Sequence, residues 1–139
     1  MHKLKANGIK KGFRKKSILH DISLEVRSGE VVGLLGPNGA GKTTTFYIIS
    51  GLIRSDEGSI YLDNEDISNF PLHKRATEGI GYLPQESSIL KDLSIEENLQ
   101  IAAEIAIKDK KEREARIEEV LSALNIEPLR SRKGINLSG

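Results

Sequence analysis

The sequence predicts an α/β fold joined to a separate helical unit, and three observations lead there. Over the first 85 residues short apolar runs alternate with helical stretches, with glycines marking the joins. A glycine-rich segment at 36–43 follows one of those apolar runs directly and opens a helical pattern. After Gln85 the composition turns to helix formers, so residues 1–85 read as an α/β core and 86–139 as a helical subdomain.

The elements follow in order. Ile22, Leu24 and Val26 alternate with polar neighbours as in a half-buried strand, and Ser28-Gly29-Glu30 turns the chain. Val31-Val32-Gly33-Leu34-Leu35 is a short apolar run suited to a buried strand. A helix is expected from Thr43 to about Ile53, stopped near Gly51, and then a strand over Ser59-Ile60-Tyr61-Leu62-Asp63. Asp63 closes that strand and runs into Asn64-Glu65-Asp66, which makes it a hairpin residue rather than a metal-binding carboxylate. Pro71 suits the first position of a short helix, and residues 79–84 read as a brief strand that Pro84 ends.

In the helical subdomain Ser94 and Glu97 form a capping box for a helix running to about Ile107. A charged linker, Lys108-Asp109-Lys110-Lys111, precedes a second helix whose Ile117, Val120, Leu121 and Leu124 share one face, with Pro128 beyond its end.

Composition excludes several classes of function. Apolar residues at 37% and charged residues at 29% fit a folded globular chain rather than a collagenous or disordered one. The formal charge of +1 argues against nucleic acid as a partner, since such a footprint needs a more basic surface. There is no cysteine, which removes disulfides, thiolate metal sites and cysteine nucleophiles and suits a reducing, cytoplasmic setting. No run approaches the roughly 18 apolar residues of a membrane span, so any membrane role must come through a partner. His2, His20 and His73 lack metal-ligand spacing and read as surface residues.

The chemistry concentrates in Gly36-Pro37-Asn38-Gly39-Ala40-Gly41-Lys42-Thr43, which fills the pattern G-x-x-x-x-G-K-T. Glycines let the backbone wrap a phosphate that side chains would keep away. Successive amides then point at the anion, and the helix beginning near Lys42 adds roughly half a positive charge at its N-terminus. Lys42 is placed to bridge the β- and γ-phosphates of ATP, and the Thr43 hydroxyl to ligate Mg²⁺, with Thr44 beside it. The competing reading is a chance glycine turn between strand and helix.

Two further residues carry open alternatives. Gln85, at the junction of the two units, is either a group that reaches Mg²⁺ or an attacking water, or a solvated loop glutamine. Phe13, between basic residues, is either an aromatic that stacks on a purine or a strand or core phenylalanine.

GPNGAGKTT at 36–44, Gln85 within YLPQE, and the terminal Leu137-Ser138-Gly139 together resemble the ATPase subunits of ABC transporters over the whole chain. That resemblance implies a P-loop NTPase with a RecA-like core, antiparallel β elements and a helical subdomain. It makes Phe13 the aromatic that stacks on adenine and Gln85 the residue linking Mg²⁺ to a transmembrane partner. Within the family, KTTTFYIISGL and PLHKRATEGIGYLPQESSILKDLSIEENL are most similar to ATPases of lipopolysaccharide exporters, which sit on the cytoplasmic face of the inner membrane. ATPases of branched-chain amino-acid importers share the GIGY segment, and in either case the surface from Gln85 to Leu93 would receive helices of membrane permease subunits.

The sequence also departs from the family pattern. The signature LSGGQ or LSGGE is cut after Ser138 and Gly139, and the Asp-Glu pair and switch histidine that should follow are absent, so the chain resembles an ATPase lacking its C-terminal half. In the complete family, Ser138 and Gly139 would contact the γ-phosphate held by the opposite protomer of a head-to-tail homodimer. These 139 residues alone are therefore expected not to turn over ATP. A P-loop small-molecule kinase and a non-catalytic nucleotide-binding fragment are the alternatives from other classes.

Overall fold

The computed structural model describes residues 2–14, 16–86 and 88–137. The chain divides into two compact units, Met1–Leu83 and Pro84–Gly139.

In the first unit, two long strands, β1 (Lys3–Phe13) and β2 (Lys16–Arg27), pair antiparallel. Two more, β3 (Glu57–Leu62) and β4 (Glu65–Asp66), complete a four-stranded sheet in the order β2-β1-β3-β4. The sequence reading does not contain β1, because lysines at 3, 5, 10 and 11 dilute its apolar alternation.

A bulge sets the inward face of β1. Ala6 pairs with Leu24 and Ile9 with Ile22, so β1 carries one extra residue between those two pairs. Gly8, at φ 59, supplies the left-handed step. Residues three apart in a regular strand point to opposite faces, yet Ala6 and Ile9 are both buried here. The bulge also explains Gly58, where a Cβ would lie 2.5 Å from the Gly8 carbonyl oxygen.

Helix α1 (Lys42–Ser50) packs on this sheet through Ile48, which joins Ala6, Ile9, Leu19, Ile60 and Ile67 in one buried cluster. Each isoleucine or leucine of that cluster taken from water contributes about 1.5–3 kcal/mol. The helix stops where expected, at Gly51, with Ser50 its last residue rather than Ile53; Gly51 sits at φ 84 and its amide donates to the Ile48 carbonyl. The β3–β4 turn holds Asp63 at φ 55, its carboxylate accepting from the Lys3 amide at 2.6 Å and from His2 Nδ1 at 2.8 Å. Pro71 caps the short helix α2 (Leu72–Thr77).

Two expected strands do not form. Residues 31–35 join no sheet, and Val31 and Leu35 are 99% and 93% exposed. Residues 80–83 likewise join no sheet: Ile80 packs against the core and donates its amide to the Arg75 carbonyl, while Leu83 is exposed. An apolar run becomes a strand only where a neighbouring strand pairs with its N–H and C=O groups, and among the described residues no strand pairs with either segment.

In the second unit, α3 (Ile95–Ala106) opens with the expected capping box. Ser94 Oγ accepts from the Glu97 amide at 3.1 Å, and the Glu97 carboxylate accepts from the Ser94 amide at 2.7 Å. The Asn98 carboxamide accepts from the Leu90 amide and donates to the Leu90 and Ser94 carbonyls, pinning the loop ahead of α3. Helix α4 (Lys110–Ala123) begins inside the stretch expected to be a linker, because Asp109 accepts from the Glu112 amide and caps it. Its Leu121 is fully buried, whereas Leu124, expected on the same face, lies past the helix end and is exposed. Arg130 bridges Glu96 of α3 and Glu118 of α4, and both carboxylates raise its pKa, Glu118 the more. Among the described residues no helix is long and apolar enough to cross a membrane.

Candidate functional site

The G-x-x-x-x-G-K-T segment lies against β2 and runs into α1. Gly41 sits at φ 89, and a Cβ there would come within 2.4 Å of Leu19 Cδ2, so only glycine lets the loop seat this low on the strand. Gly39, at φ 83, has open space where its side chain would be. The Ala40 amide closes a turn onto the Pro37 carbonyl at 3.2 Å. Thr45, buried in α1, donates both its amide and its hydroxyl to the Gly41 carbonyl, at 2.8 and 3.0 Å, which fixes the join of loop and helix.

Several donors of the loop are left over. Among the described residues, the amides of Gly39, Gly41, Lys42, Thr43 and Thr44 have no acceptor, as expected where a helix starts without a side-chain cap. The Lys42 ammonium folds back over the loop, donating to the Gly36 carbonyl at 2.6 Å and the Pro37 carbonyl at 2.8 Å. An ammonium has three donors, so one remains for a ligand. Asn38 and Thr43 are exposed and Thr44 is half-buried.

Phe13 ends β1 with 48% of its surface exposed, and the Lys11 ammonium stands 5.5 Å from its ring centre. Asp56 holds this strand end, accepting from Lys11 Nζ at 2.6 Å and from the Gly12 amide at 2.8 Å. Those two bonds, the Lys11 one foremost, keep the Asp56 carboxyl below the usual range. Tyr82 meets Tyr47 of α1 edge to face at 6.1 Å, and burial followed by that neighbour pushes its phenol up. Gln85 belongs to the second unit and is exposed. Ser138 and Gly139 lie outside the described residues.

Sequence reasoning passed over Arg75, which is 1% exposed. Its guanidinium donates to the carbonyls of Ile48, Ile49, Phe70 and Ser68 at 2.7–3.0 Å, and burial lowers its pKa. Nothing local in HKRAT separates this arginine from a solvated one; the one hint was Gly51, which leaves room for it.

A G-x-x-x-x-G-K-T loop seated on an antiparallel sheet, with a helical unit after it in the chain, is the arrangement of an ATP-binding cassette. The ABC transporter family model matches residues 19–139, and the chain belongs to that family. Among relatives, it is 49% identical over 142 residues to the lipopolysaccharide export system ATP-binding protein LptB of Escherichia coli (strain K12), covering 100% of this chain and 58% of that protein. It is 47% identical over 136 residues to LptB of Acidithiobacillus ferridurans, covering 98% of this chain and 56% of that protein. The chain thus spans little more than half the length of these relatives. Among solved structures, an ATP-binding cassette of an ABC transporter superposes with a TM-score of 0.88 at 31% identity, over 100% of this chain and 60% of that one. A nucleotide-free cassette gives 0.82 at 30% identity, over 99% of this chain and 60% of that one.

Proposed function

We propose that this chain is the nucleotide-binding part of an ATPase that powers lipopolysaccharide export, with Mg-ATP held on residues 36–44. The observation that carries the reading is the pairing of Lys42, poised over the loop with a spare donor, with a row of amides that have no acceptor among the described residues. A polyphosphate supplies what those groups lack, and the N-terminus of α1 favours its charge. Lys42 serves the β- and γ-phosphates, and the amides of Gly39, Gly41, Lys42, Thr43 and Thr44 serve their oxygens.

The Thr43 hydroxyl suits a hard cation, since it is exposed in the first turn of α1 and has no hydrogen-bond partner among the described residues. Mg²⁺ bound there would neutralise charge on the phosphates. Phe13 is the surface on which adenine stacks, its exposed ring kept at the end of β1 by Asp56. Family resemblance alone assigns Gln85 to the metal and the attacking water, Ser138 and Gly139 to the partner protomer's γ-phosphate, and residues 85–93 to permease subunits. Ile89 and Leu90 are exposed in that last stretch. In the whole protein, a homodimer on the cytoplasmic face of the inner membrane, water would attack the γ-phosphate.

Calorimetric titration with Mg-ADP and Mg-ATP tests the reading. Lys42→Ala should weaken both by about 10- to 100-fold, the cost of a charge-assisted contact of about 1.5–3 kcal/mol. Equal affinity in the variant would remove the loop from the binding site.

A further inference from the structure

We propose that Arg75 is a positioning residue for phosphate binding, its guanidinium clamping the last carbonyls of α1 so that the amides at the opposite end of the helix stay aimed at the ligand. The inference rests on the reading of residues 36–44 as the phosphate site.

The need for a clamp lies in the sequence of α1. Thr43, Thr44, Thr45, Ile48 and Ile49 are β-branched, and Phe46 and Tyr47 are aromatic, so almost nothing in KTTTFYIIS favours a helix by itself. A nine-residue helix of that composition holds its shape through tertiary contacts. At the N-terminal end the contact is Gly41 on Leu19. At the C-terminal end it is the Arg75 fork.

The geometry of that fork is specific. Nη1 reaches both the Ile48 and Ile49 carbonyls at 2.7 Å, two of the last carbonyls of the helix, of which Ile48 also accepts from the Gly51 amide. Nε and Nη2 reach the Phe70 and Ser68 carbonyls at 2.8 and 3.0 Å, in the turn between β4 and α2. That turn is fixed to the sheet by the buried Ile67, whose amide donates to the Ile60 carbonyl. Arg75 thus bolts the end of α1 to the sheet, and its charge faces the negative end of the helix dipole. No carboxylate pairs with it among the described residues; every partner is a backbone carbonyl. Gly51 is the matching concession, since a Cβ there would stand 3.0 Å from Arg75 Cδ and Nε.

Arg75→Lys keeps the charge and loses the fork. Dissociation constants for ADP and adenosine, measured by NMR titration on the full 139-residue chain, separate positioning from stability, because partial unfolding lowers both affinities by one factor. The ratio of adenosine to ADP dissociation constants should fall about tenfold in Arg75→Lys, within the usual span of coupling between distant sites. A ratio unchanged from the parent chain overturns the inference. Lys42→Ala run in parallel distinguishes the two levels: if it leaves ADP binding intact, the phosphate-site reading fails and takes this inference with it. On the unmutated chain, ADP should slow amide hydrogen exchange at Gly51 and Leu52, which donate to Ile48 and Tyr47 at the far end of α1. Unchanged exchange there also overturns it.

Discussion

At its C-terminal end α1 has its carbonyls taken up by Arg75 and by the amides of Gly51, Leu52 and Ile53, while at its N-terminal end five donors of the loop and first turn have no acceptor among the described residues. Both ends begin with the same deficit, because every helix leaves its terminal backbone groups unpaired. One deficit is cancelled by a buried side chain from the same unit. The other is left standing, and a ligand of opposite charge can cancel it. The proposed site is thus an incompleteness that the surrounding structure holds in place, with Leu19 under Gly41 and the Thr45 hydroxyl on the Gly41 carbonyl.

The largest effect should come from closing the gap under the open end. Gly41→Val places a branched side chain against Leu19 in a left-handed conformation, and should cost about 3–4 kcal/mol of stability by urea denaturation. An undiminished midpoint would mean that the loop does not rest on β2. At the closed end, Gly51→Ala meets the Phe70 carbonyl oxygen at 2.9 Å with φ at 84, and about 2 kcal/mol is expected in the same assay. Should Gly51→Ala exceed Gly41→Val, the ranking of the two ends would be reversed.

A smaller effect sharpens the contrast. Thr45→Val conserves shape and removes the buried hydroxyl that donates to Gly41, so about 1 kcal/mol should be lost, with the carbonyl still held by the Thr45 amide. The smallest effect concerns pH. The bonds described at both ends of α1 go to carbonyls, which do not titrate, whereas the margin of the sheet relies on carboxylates. Asp56 is held low first by Lys11 and then by the Gly12 amide, and Asp63 first by His2 and then by the Lys3 amide. A carboxyl lowered by folding contributes stability that is complete above its unfolded value and lost as pH falls through its folded value. Acidification below the usual carboxylate range should therefore speed hydrogen exchange at Lys3 and Gly12 before it does so at Thr45. Loss of protection at Thr45 first would contradict this order.

How much of this was legible beforehand depended on sequence distance. The capping box of Ser94 and Glu97 was readable because both partners sit within one turn, and the proline before α2 and the stop at Gly51 were readable for the same reason. Strand β1 was not, because its inward face depends on a bulge at Gly8 that shifts parity in mid-strand. The segments 31–35 and 80–83 looked like strands by composition, but a strand is a relation to a neighbour, and none of the described residues enters that relation.

The sequence by itself set out the pattern on which the proposed phosphate site rests, the spacing of Gly36, Gly41, Lys42 and Thr43 ahead of a helix. Tertiary structure alone decided that Leu19 underlies Gly41, that Asp56 ties down the strand end bearing Phe13, and that Arg75, 26 to 27 residues from the α1 carbonyls it clamps, is buried while Lys74 beside it is not. The physical reason is that hydrogen-bond donors in a loop are set by backbone geometry over a few residues, whereas the acceptors and packing partners that hold the loop in place come from distant sequence and exist only once the chain has folded.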